Sequence, residues 1–263
     1  MRARAISIAK FEEGTTNEDS VIARQEVIAV SDGAGGGGVF ADLWSKYLVE
    51  HLPDEPIRNF DAFDRWIDGI WEPFCNECEA KAKGIGGMFL NKFYDEGSFA
   101  TLVSVWKSGQ WISYGDSVAF CYNRKSKELQ HSFIRLADFN NPPCLINCKD
   151  PLDEKGFRSG KFDINSDSVV FAASDTLAHY ILMMYEVSYR DKFAEELDEA
   201  INAQTKNGNF IKTAVSIEKM NFEKDVICKL KNCFTWPFFQ NHIKGLKKKG
   251  LIGHDDYSLV IMA

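Results

Sequence analysis

Short apolar runs recur along the chain and predict buried β-strands, because the side chains of a strand alternate between two faces. Alternation in residues 3–9 predicts a first strand, and the apolar residues 26–31 predict another that ends at Asp32. Further strands are predicted in residues 21–23, 98–106, 110–114, 117–122, 168–174 and 257–262. Glycine, serine and aspartate separate the three middle segments, which therefore predict an antiparallel meander.

Apolar residues three or four positions apart predict helices between these strands. This spacing occurs in residues 40–52 and 60–82, and two prolines separate the two predicted helices. Residues 176–247 are also predicted to be mostly helical. The order of elements predicts an α+β fold in which helices cover the outer faces of antiparallel sheets. No shift in composition divides residues 1–263, which predicts a single domain.

The composition excludes several classes of protein. Of the 263 residues, 45% are hydrophobic and 26% are charged, which is typical of a globular domain. The net charge of −7 argues against a protein that binds the nucleic-acid backbone. No apolar run is long enough to span a membrane, and the first residues lack the pattern of a signal peptide. Together with an odd number of cysteines, 7, these features predict a cytoplasmic protein with reduced thiols.

Carboxylates at strand ends are the main candidates for chemistry. Asp32 and Asp175 follow apolar strands, Asp255 precedes the last strand, and Glu18-Asp19 precedes the strand at residues 21–23. Carboxylates held close together repel each other, so such a cluster requires cations at neutral pH. Oxygen ligands without His or Cys favour Mg²⁺ or Mn²⁺ over zinc. The alternative is that each aspartate is an ordinary turn or cap residue.

The glycine-rich residues 33–38 fit the dinucleotide-binding pattern G-x-G-x-x-G. Two features argue against that function. Asp32 at the mouth of the loop would repel a pyrophosphate, and no second strand follows the helix to carry a ribose-binding acid. A tight turn is a further alternative.

Cys75-x-x-Cys78 is the other motif with possible chemistry, as half of a zinc site or as a redox pair. It lies in a predicted helix, and no second pair of ligands follows at a suitable spacing. Buried or chemically idle thiols are therefore favoured.

Six short motifs occur in an order that resembles the PP2C (PPM) family of metal-dependent serine/threonine phosphatases. They span residues 17–260. The motifs are Asn17-Glu18-Asp19-Ser20, Ala29-Val30-Ser31-Asp32-Gly33-x-Gly35-Gly36, Gly97-Ser98-Phe99-Ala100-Thr101, Tyr114-Gly115-Asp116-Ser117, Ala173-Ser174-Asp175 and Asp255-Asp256-Tyr257-Ser258-Leu259-Val260. The resemblance implies a PP2C-like sandwich of two antiparallel β-sheets flanked by α-helices.

The resemblance also implies a two-metal site. Asp32 would bridge two Mn²⁺ or Mg²⁺ ions, and Asp175 and Asp255 would bind one of them, which makes these three the implied catalytic residues. The Gly33 carbonyl would bind the other ion, with Glu18 as a ligand either directly or through water.

Two further carboxylates have weaker implied roles. Asp116 resembles the residue that helps to hold a weak third ion in some family members. Asp19 would lie behind the metal ligands.

The implied function is removal of phosphate from phosphoserine and phosphothreonine of proteins by a water molecule that two metal ions activate. The implied partners are phosphoprotein substrates and the pathway of a cognate Ser/Thr kinase. No nucleophilic cysteine is required. The alternative is a catalytically weak or inactive regulatory relative that binds phosphoproteins.

Three positions depart from the family pattern. Many members have a basic residue that binds the substrate phosphate shortly before the Asn-Glu-Asp segment, whereas this chain has Gly14 there. Ala34 replaces a histidine that eukaryotic members often carry. His179 stands where a ligand of the third metal ion often lies. Because of these departures, the resemblance does not identify a phosphate-binding residue or support a third ion.

Overall fold

A computed structural model describes residues 2–36 and 38–262. Gly37, which belongs to the predicted glycine-rich turn, lies outside these residues, as do the two terminal residues. Across the described ranges, no helix is long and apolar enough to cross a membrane.

The strands lie close to the predicted ranges. They are β1 (Ala3–Ile8), β2 (Ser20–Ala23), β3 (Val27–Ser31), β4 (Phe99–Ala100), β5 (Leu102–Trp106), β6 (Gln110–Tyr114), β7 (Val118–Asn123), β8 (Glu128–His131), β9 (Ile146–Asn147), β10 (Phe157–Lys161), β11 (Ser168–Ala173) and β12 (Tyr257–Met262).

The helices occupy two stretches of the chain. They are α1 (Ala41–Glu50), α2 (Phe60–Ile85), α3 (Gly87–Glu96), α4 (Asp175–Ser188), α5 (Ala194–Asn202), α6 (Lys206–Val215), α7 (Cys228–Asn232) and α8 (Trp236–Lys248). A π-helical turn, Glu223–Ile227, leads directly into α7.

Ten of these strands form two five-stranded antiparallel sheets. Sheet A has the order β1-β12-β11-β7-β8, and sheet B has the order β10-β6-β5-β3-β2. The short strands β4 and β9 pair separately.

A core fills the space between the two sheets, and it explains why the central strands are apolar on both faces. In β3, Ile28 and Val30 face this core, whereas Val27 and Ala29 face the helices outside sheet B. The residues of the inner core are Ile28, Val30, Val103, Val105, Ala119, Cys121, Phe162, Val170, Ala172, Val260 and Met262. A strand that is buried on both faces shows a continuous apolar run instead of alternation.

Helices cover the outer face of each sheet. Helices α1–α3 pack with sheet B around Trp44, Phe63 and Phe74. Helices α4–α8 pack with sheet A around residues that include Phe171 and Phe239. The layers therefore run helix, sheet, sheet, helix, which confirms the predicted α+β sandwich.

The predicted meander is wrong in one respect. Strands β5 and β6 pair as expected, but β7 pairs with β8 and β11 in the other sheet. The chain changes sheets at Gly115, whose φ is 101°. A φ in this range is accessible to glycine at little cost, so the corner depends on this residue.

Four elements were not predicted: α3, β8, β9 and β10. Strand β10 has the sequence Phe-Arg-Ser-Gly-Lys and lies at the edge of sheet B, where its side chains are largely accessible. An edge strand with few apolar residues gives no alternation to detect.

Glu186 is a buried acid in α4, only 4% exposed, and no described residue donates a hydrogen bond to its Oε2. Burial is the main cause that raises the pKa of Glu186 from 4.5 to about 8, and Glu196 adds repulsion. The folded state therefore binds this proton more tightly than the unfolded state. The resulting stabilisation is complete below about pH 4.5 and is lost as the pH rises through about 8.

We predict that Glu186→Gln increases the free energy of unfolding by about 1–3 kcal/mol at about pH 9, with little effect at about pH 5. Chemical denaturation at both pH values measures this difference. Glu195→Gln, which changes an exposed acid of α5, is the control and should alter both values equally. A stabilisation by Glu186→Gln that is independent of pH would contradict the prediction.

Candidate active site

Five aspartates lie near the ends of strands and form the aspartate cluster. They are Asp19 before β2, Asp32 after β3, Asp116 at the corner between β6 and β7, Asp175 at the start of α4 after β11, and Asp255 before β12. The other four members all raise the pKa of Asp32 by electrostatic repulsion, which shows that they surround it. The structure thus brings together carboxylates that are up to 236 residues apart in sequence, from Asp19 to Asp255.

The cluster is electrostatically unfavourable without cations. Burial, followed by repulsion from neighbouring carboxylates, raises the pKa of Asp32 and Asp175 well above the ordinary value. Burial is also the main cause that raises the pKa of Asp19 to about 7 and that of Asp116 to about 6. Since each carboxylate favours protonation of its neighbours, positive charge placed among them would be strongly stabilised.

The backbone at Asp32 is fixed by Thr101, which lies between β4 and β5. The amide of Asp32 donates to Oγ1 of Thr101 at 3.3 Å, and its carbonyl accepts from the Thr101 amide at 2.8 Å. Thr101 also exchanges a hydrogen bond with the hydroxyl of Ser117 at 2.8 Å. One threonine therefore links the turn at Asp32 with the corner that carries Asp116.

Glycines are required in the turn after Asp32 because other chain segments approach closely. A Cβ on Gly33 would lie 2.7 Å from the carbonyl oxygens of both Glu18 and Ala41. A Cβ on Gly35 would collide with the Glu18 carboxylate. The motif therefore serves a tight turn packed against Glu18, as one of the sequence alternatives held.

Glu18 lies at the flank of the cluster. Burial raises the pKa of Glu18, Lys10 lowers it, and Asp256, Asp42 and Asp255 raise it further. Asp255 is the only member of the aspartate cluster among these influences.

Asp256 is a structural carboxylate that the sequence analysis did not assign. Its two oxygens accept hydrogen bonds from the amides of Lys10 and Glu18, each at 2.7 Å. This residue fixes the segment that carries Glu18 and Asp19. It was missed because its partners are more than 230 positions away in sequence.

Asp19 is buried, and neither of its carboxylate oxygens has a hydrogen-bond partner within residues 2–36 and 38–262. The hydroxyls of Ser174 and Ser258 are near enough to lower its pKa but do not overcome the effect of burial. The unsatisfied oxygens face a strong free-energy penalty unless protons, water or cations reach them.

The serines that flank Asp175 hold β11 and β12 together at the site. The amide of Ser174 donates to the carbonyl of Ser258 at 3.2 Å, and the amide of Ser258 donates to Oγ of Ser174 at 3.1 Å. Asp175 begins α4, and its Oδ1 accepts from the amide of Thr176. These contacts fix the backbone, and no hydrogen bond to the second oxygen of Asp175 is found among the described residues.

Arg158 of β10 is a basic residue beside Asp116 that the sequence analysis missed. Its charge lowers the pKa of Asp116, its Nη2 donates to the carbonyl of Gly115 at 2.6 Å, and its guanidinium lies 5.1 Å from the ring centre of Phe133. Its Nε is buried and has no hydrogen-bond partner among the described residues. No motif surrounds this arginine, so only the pairing of β10 with β6 reveals its position.

A cavity of about 240 Å³ adjoins this corner. The acids Asp116 and Asp138 and the bases Arg158 and Lys155 supply its charged lining, next to apolar residues such as Phe133. A cavity that combines basic groups, apolar surface and an edge of the aspartate cluster suits a phosphate attached to an organic group.

The departures noted in the sequence have different structural consequences. Gly14 is exposed with a φ of 80°, so a side chain at this position would be strained. His179 is buried against the rings of Phe139 and Phe210, and burial lowers its pKa to about 4. It is therefore a neutral histidine in an aromatic environment.

The donor set suits hard divalent cations, but it is not a closed metal site. The donor atoms are carboxylate oxygens, which hard cations prefer. The oxygens of Asp19 that have no hydrogen-bond partner among the described residues, and the raised pKa values of Asp19 and Asp32, indicate a deficit of positive charge. In the part of the chain that the structure describes, no three His, Cys, Asp or Glu side chains are arranged so that they could hold a metal ion. Binding would therefore require side-chain adjustment, backbone oxygens such as that of Gly33, or water.

Comparison with known proteins gives evidence on the fold. No protein-family model and no curated protein sequence matches the chain. The catalytic domain of the serine/threonine phosphatase PstP in complex with two manganese ions matches with a TM-score of 0.53 and 16% identity, over 99% of this chain and 96% of that chain. PstP/Ppp of Mycobacterium tuberculosis matches with a TM-score of 0.52 and 16% identity, over 99% and 97%.

Stp1 of Staphylococcus aureus, a further serine/threonine phosphatase, matches with a TM-score of 0.51 and 13% identity, over 100% of this chain and 95% of that chain. The chain therefore has the fold of the bacterial serine/threonine phosphatases, which confirms the PP2C-like fold predicted from its motifs.

We predict that Mn²⁺ raises the melting temperature of the metal-free protein at about pH 8, because a ligand at 100 times its Kd stabilises the folded state by about 2.7 kcal/mol. Asp32→Asn should remove most of this shift, since Asp32 lies among the other four aspartates. Asp116→Asn should retain most of it. Asp191→Asn, an exposed control, should behave like the wild type. Equal shifts in all four proteins would contradict a site centred on Asp32.

Proposed function

We propose that this protein is a divalent-metal-dependent phosphatase that removes phosphate from phosphoserine and phosphothreonine of proteins. The observation that carries the proposal is the aspartate cluster, which collects five carboxylates at strand ends of a fold shared with bacterial serine/threonine phosphatases. The manganese complex of the PstP catalytic domain supports the choice of Mn²⁺ or Mg²⁺.

The proposed ligands follow the implied assignment. One ion would be held by Asp32, Asp175 and Asp255. The other would be held by Asp32, the Gly33 carbonyl and Glu18, with Glu18 binding directly or through water. Bound divalent ions supply a water molecule of lowered pKa and neutralise charge on the phosphoryl oxygens. Asp116 would contribute to a weak third position.

The chain's own residues would bind and orient the substrate. Arg158 and Lys155 provide positive charge for the phosphate, and the apolar lining of the same cavity provides surface for the flanking peptide. Thr101 and Ser117 keep the backbones of Asp32 and Asp116 in a fixed relation during turnover.

The decisive experiment measures hydrolysis of p-nitrophenyl phosphate and of phosphoserine and phosphothreonine peptides. We expect no activity after chelation with EDTA and recovery with Mn²⁺ or Mg²⁺. Asp32→Asn should lower kcat at least a hundredfold. Activity that survives exhaustive chelation would eliminate the metal-dependent mechanism.

A catalytically weak or inactive phosphoprotein-binding relative is the second candidate. The absence of a closed three-ligand group among the described residues favours it. In that case a phosphothreonine peptide should bind in the presence of Mn²⁺, without release of phosphate.

Arg158 gives a prediction about substrate binding. A charge-assisted hydrogen bond from arginine to phosphate contributes about 1.5–3 kcal/mol, so Arg158→Ala should raise KM for a phosphothreonine peptide about tenfold or more. Arg158→Lys should retain part of the affinity, because charge remains but the planar fork of donors is lost. Arg65→Ala, on the exposed face of α2, is the matched control. An unchanged KM in a folded Arg158→Ala variant would exclude this residue from phosphate binding.

A further inference from the structure

We propose that Cys75 and Cys148 form a redox modification site, in which hydrogen peroxide converts the two thiols into a reversible intramolecular disulfide. The proposal concerns a pair of residues outside the aspartate cluster and does not depend on the proposed phosphatase activity.

The geometry of the two thiols carries the inference. Cys75 lies in α2, and Cys148 follows β9 directly. Their Sγ atoms are 3.7 Å apart, and the Cys75 thiol also lies 3.3 Å from the carbonyl oxygen of Cys148. A disulfide has an S–S distance of about 2.05 Å, so the sulfurs need to approach by less than about 2 Å.

The motif Cys75-x-x-Cys78 suggested a different pairing. Cys78 is buried in the same helix, whereas the thiol of Cys75 points at Cys148. The redox pair therefore connects two elements that are 73 positions apart in sequence instead of two turns of one helix.

The hydrogen bonds and charges around the two thiols differ, and they favour Cys148 as the thiol that is oxidised first. The Cys148 sulfur accepts hydrogen bonds from the Cys75 thiol and from the Ser98 amide, the latter at 3.3 Å, and the ammonium of Lys149 is nearby. These three influences outweigh burial and lower the pKa of Cys148. The hydrogen bond to Cys148 and burial raise the pKa of Cys75. Cys148 is thus the thiol that reacts first, since the thiolate is the nucleophile.

A cavity beside Cys148 offers a route for a small oxidant. Cys148 is buried, but it contributes to the lining of a cavity of about 330 Å³ together with Lys149, Asp150 and Trp71. Hydrogen peroxide is close to water in size, so it fits a space of this volume.

The reaction balances with hydrogen peroxide as the only oxidant. Cys148 first releases its proton to become a thiolate. The thiolate attacks one peroxide oxygen, the O–O bond breaks, Cys148 becomes a sulfenic acid, and the departing hydroxide takes up the released proton to form water. The Cys75 sulfur then attacks the Cys148 sulfur, the S–O bond breaks, and the departing hydroxide takes the Cys75 proton to form water. Two thiols lose two electrons, and one peroxide is reduced to two water molecules.

The cross-link would join α2 to the strand pair beneath the turn at Asp32. The amide of Cys148 donates to the carbonyl of Ser98 at 3.0 Å, and β9 pairs with β4. The carbonyl of Phe99 in β4 accepts from the amide of Ala34 at 2.9 Å. A chain of backbone contacts therefore runs from the thiol pair to the glycine-rich turn.

The test is peptide mapping of the full-length wild-type protein after treatment with hydrogen peroxide and rapid alkylation. We expect a Cys75–Cys148 cross-linked peptide that lacks two hydrogen atoms and disappears on treatment with dithiothreitol. At the same peroxide dose, alkylation of the exposed Cys144 and Cys228 should show that other thiols remain free, and protection of the buried Cys121 and Cys233 from alkylation should show that the protein stays folded.

Variants separate the two steps. Cys75→Ser should stop the reaction at the sulfenic acid of Cys148, which dimedone traps, and Cys148→Ser should leave the Cys75 thiol reduced. Cys144→Ser, an exposed control, should form the cross-link as the wild type does. A cross-link between Cys75 and Cys78, or free Cys75 and Cys148 thiols at doses that oxidise Cys144 in the wild type, would overturn the proposal.

Discussion

Repulsion among buried carboxylates is the constraint on which the rest of this structure depends. Asp32 lies within electrostatic reach of Asp19, Asp116, Asp175 and Asp255, and the basic residue near this group is Arg158, which acts on Asp116. A fold does not collect such charge without compensation, because each buried carboxylate must be neutralised by protons or cations. The cost of burying these carboxylates would therefore contribute to the free energy of binding divalent ions in the proposed site.

Hydrogen bonds fix the backbone near the aspartate cluster, whereas carboxylate oxygens of Asp19 have no hydrogen-bond partner among the described residues. Thr101 holds the backbone of Asp32, and the pair Ser174–Ser258 joins the strands beside Asp175. The oxygens of Asp19 have no hydrogen-bond partner within the described ranges. In contrast, both carboxylate oxygens of Asp256 accept hydrogen bonds from backbone amides, so this residue is structural. The adjacent Asp255 lies in the aspartate cluster, so two neighbouring residues of one motif have different surroundings.

The sequence predicted those parts of the fold that local patterns determine. Strand β12 and strand β6 have the predicted bounds, because each is an uninterrupted apolar or alternating run between polar residues. The change of sheet at Gly115 was not predicted, since a hairpin turn and a corner between sheets use the same residue types. Arg158 and the Cys75–Cys148 pair were missed for a different reason: their neighbours come from distant segments, and no spacing in the sequence records them. The roles assigned to the individual metal ligands stay predictions.

The pKa shifts indicate which aspartates would gain from a cation. Burial raises the pKa of Asp116 to about 6, against the lowering effects of a backbone hydrogen bond and of the Arg158 charge. Asp19 follows at about 7, and Asp32 and Asp175 lie well above the ordinary value. Since a cation stabilises carboxylates that burial and mutual repulsion make hard to ionise, divalent ions would be favoured beside Asp32 and Asp175. An ion near Asp116 would have to compete with a fixed guanidinium, and the same guanidinium remains available to attract a phosphate at the edge of the cluster.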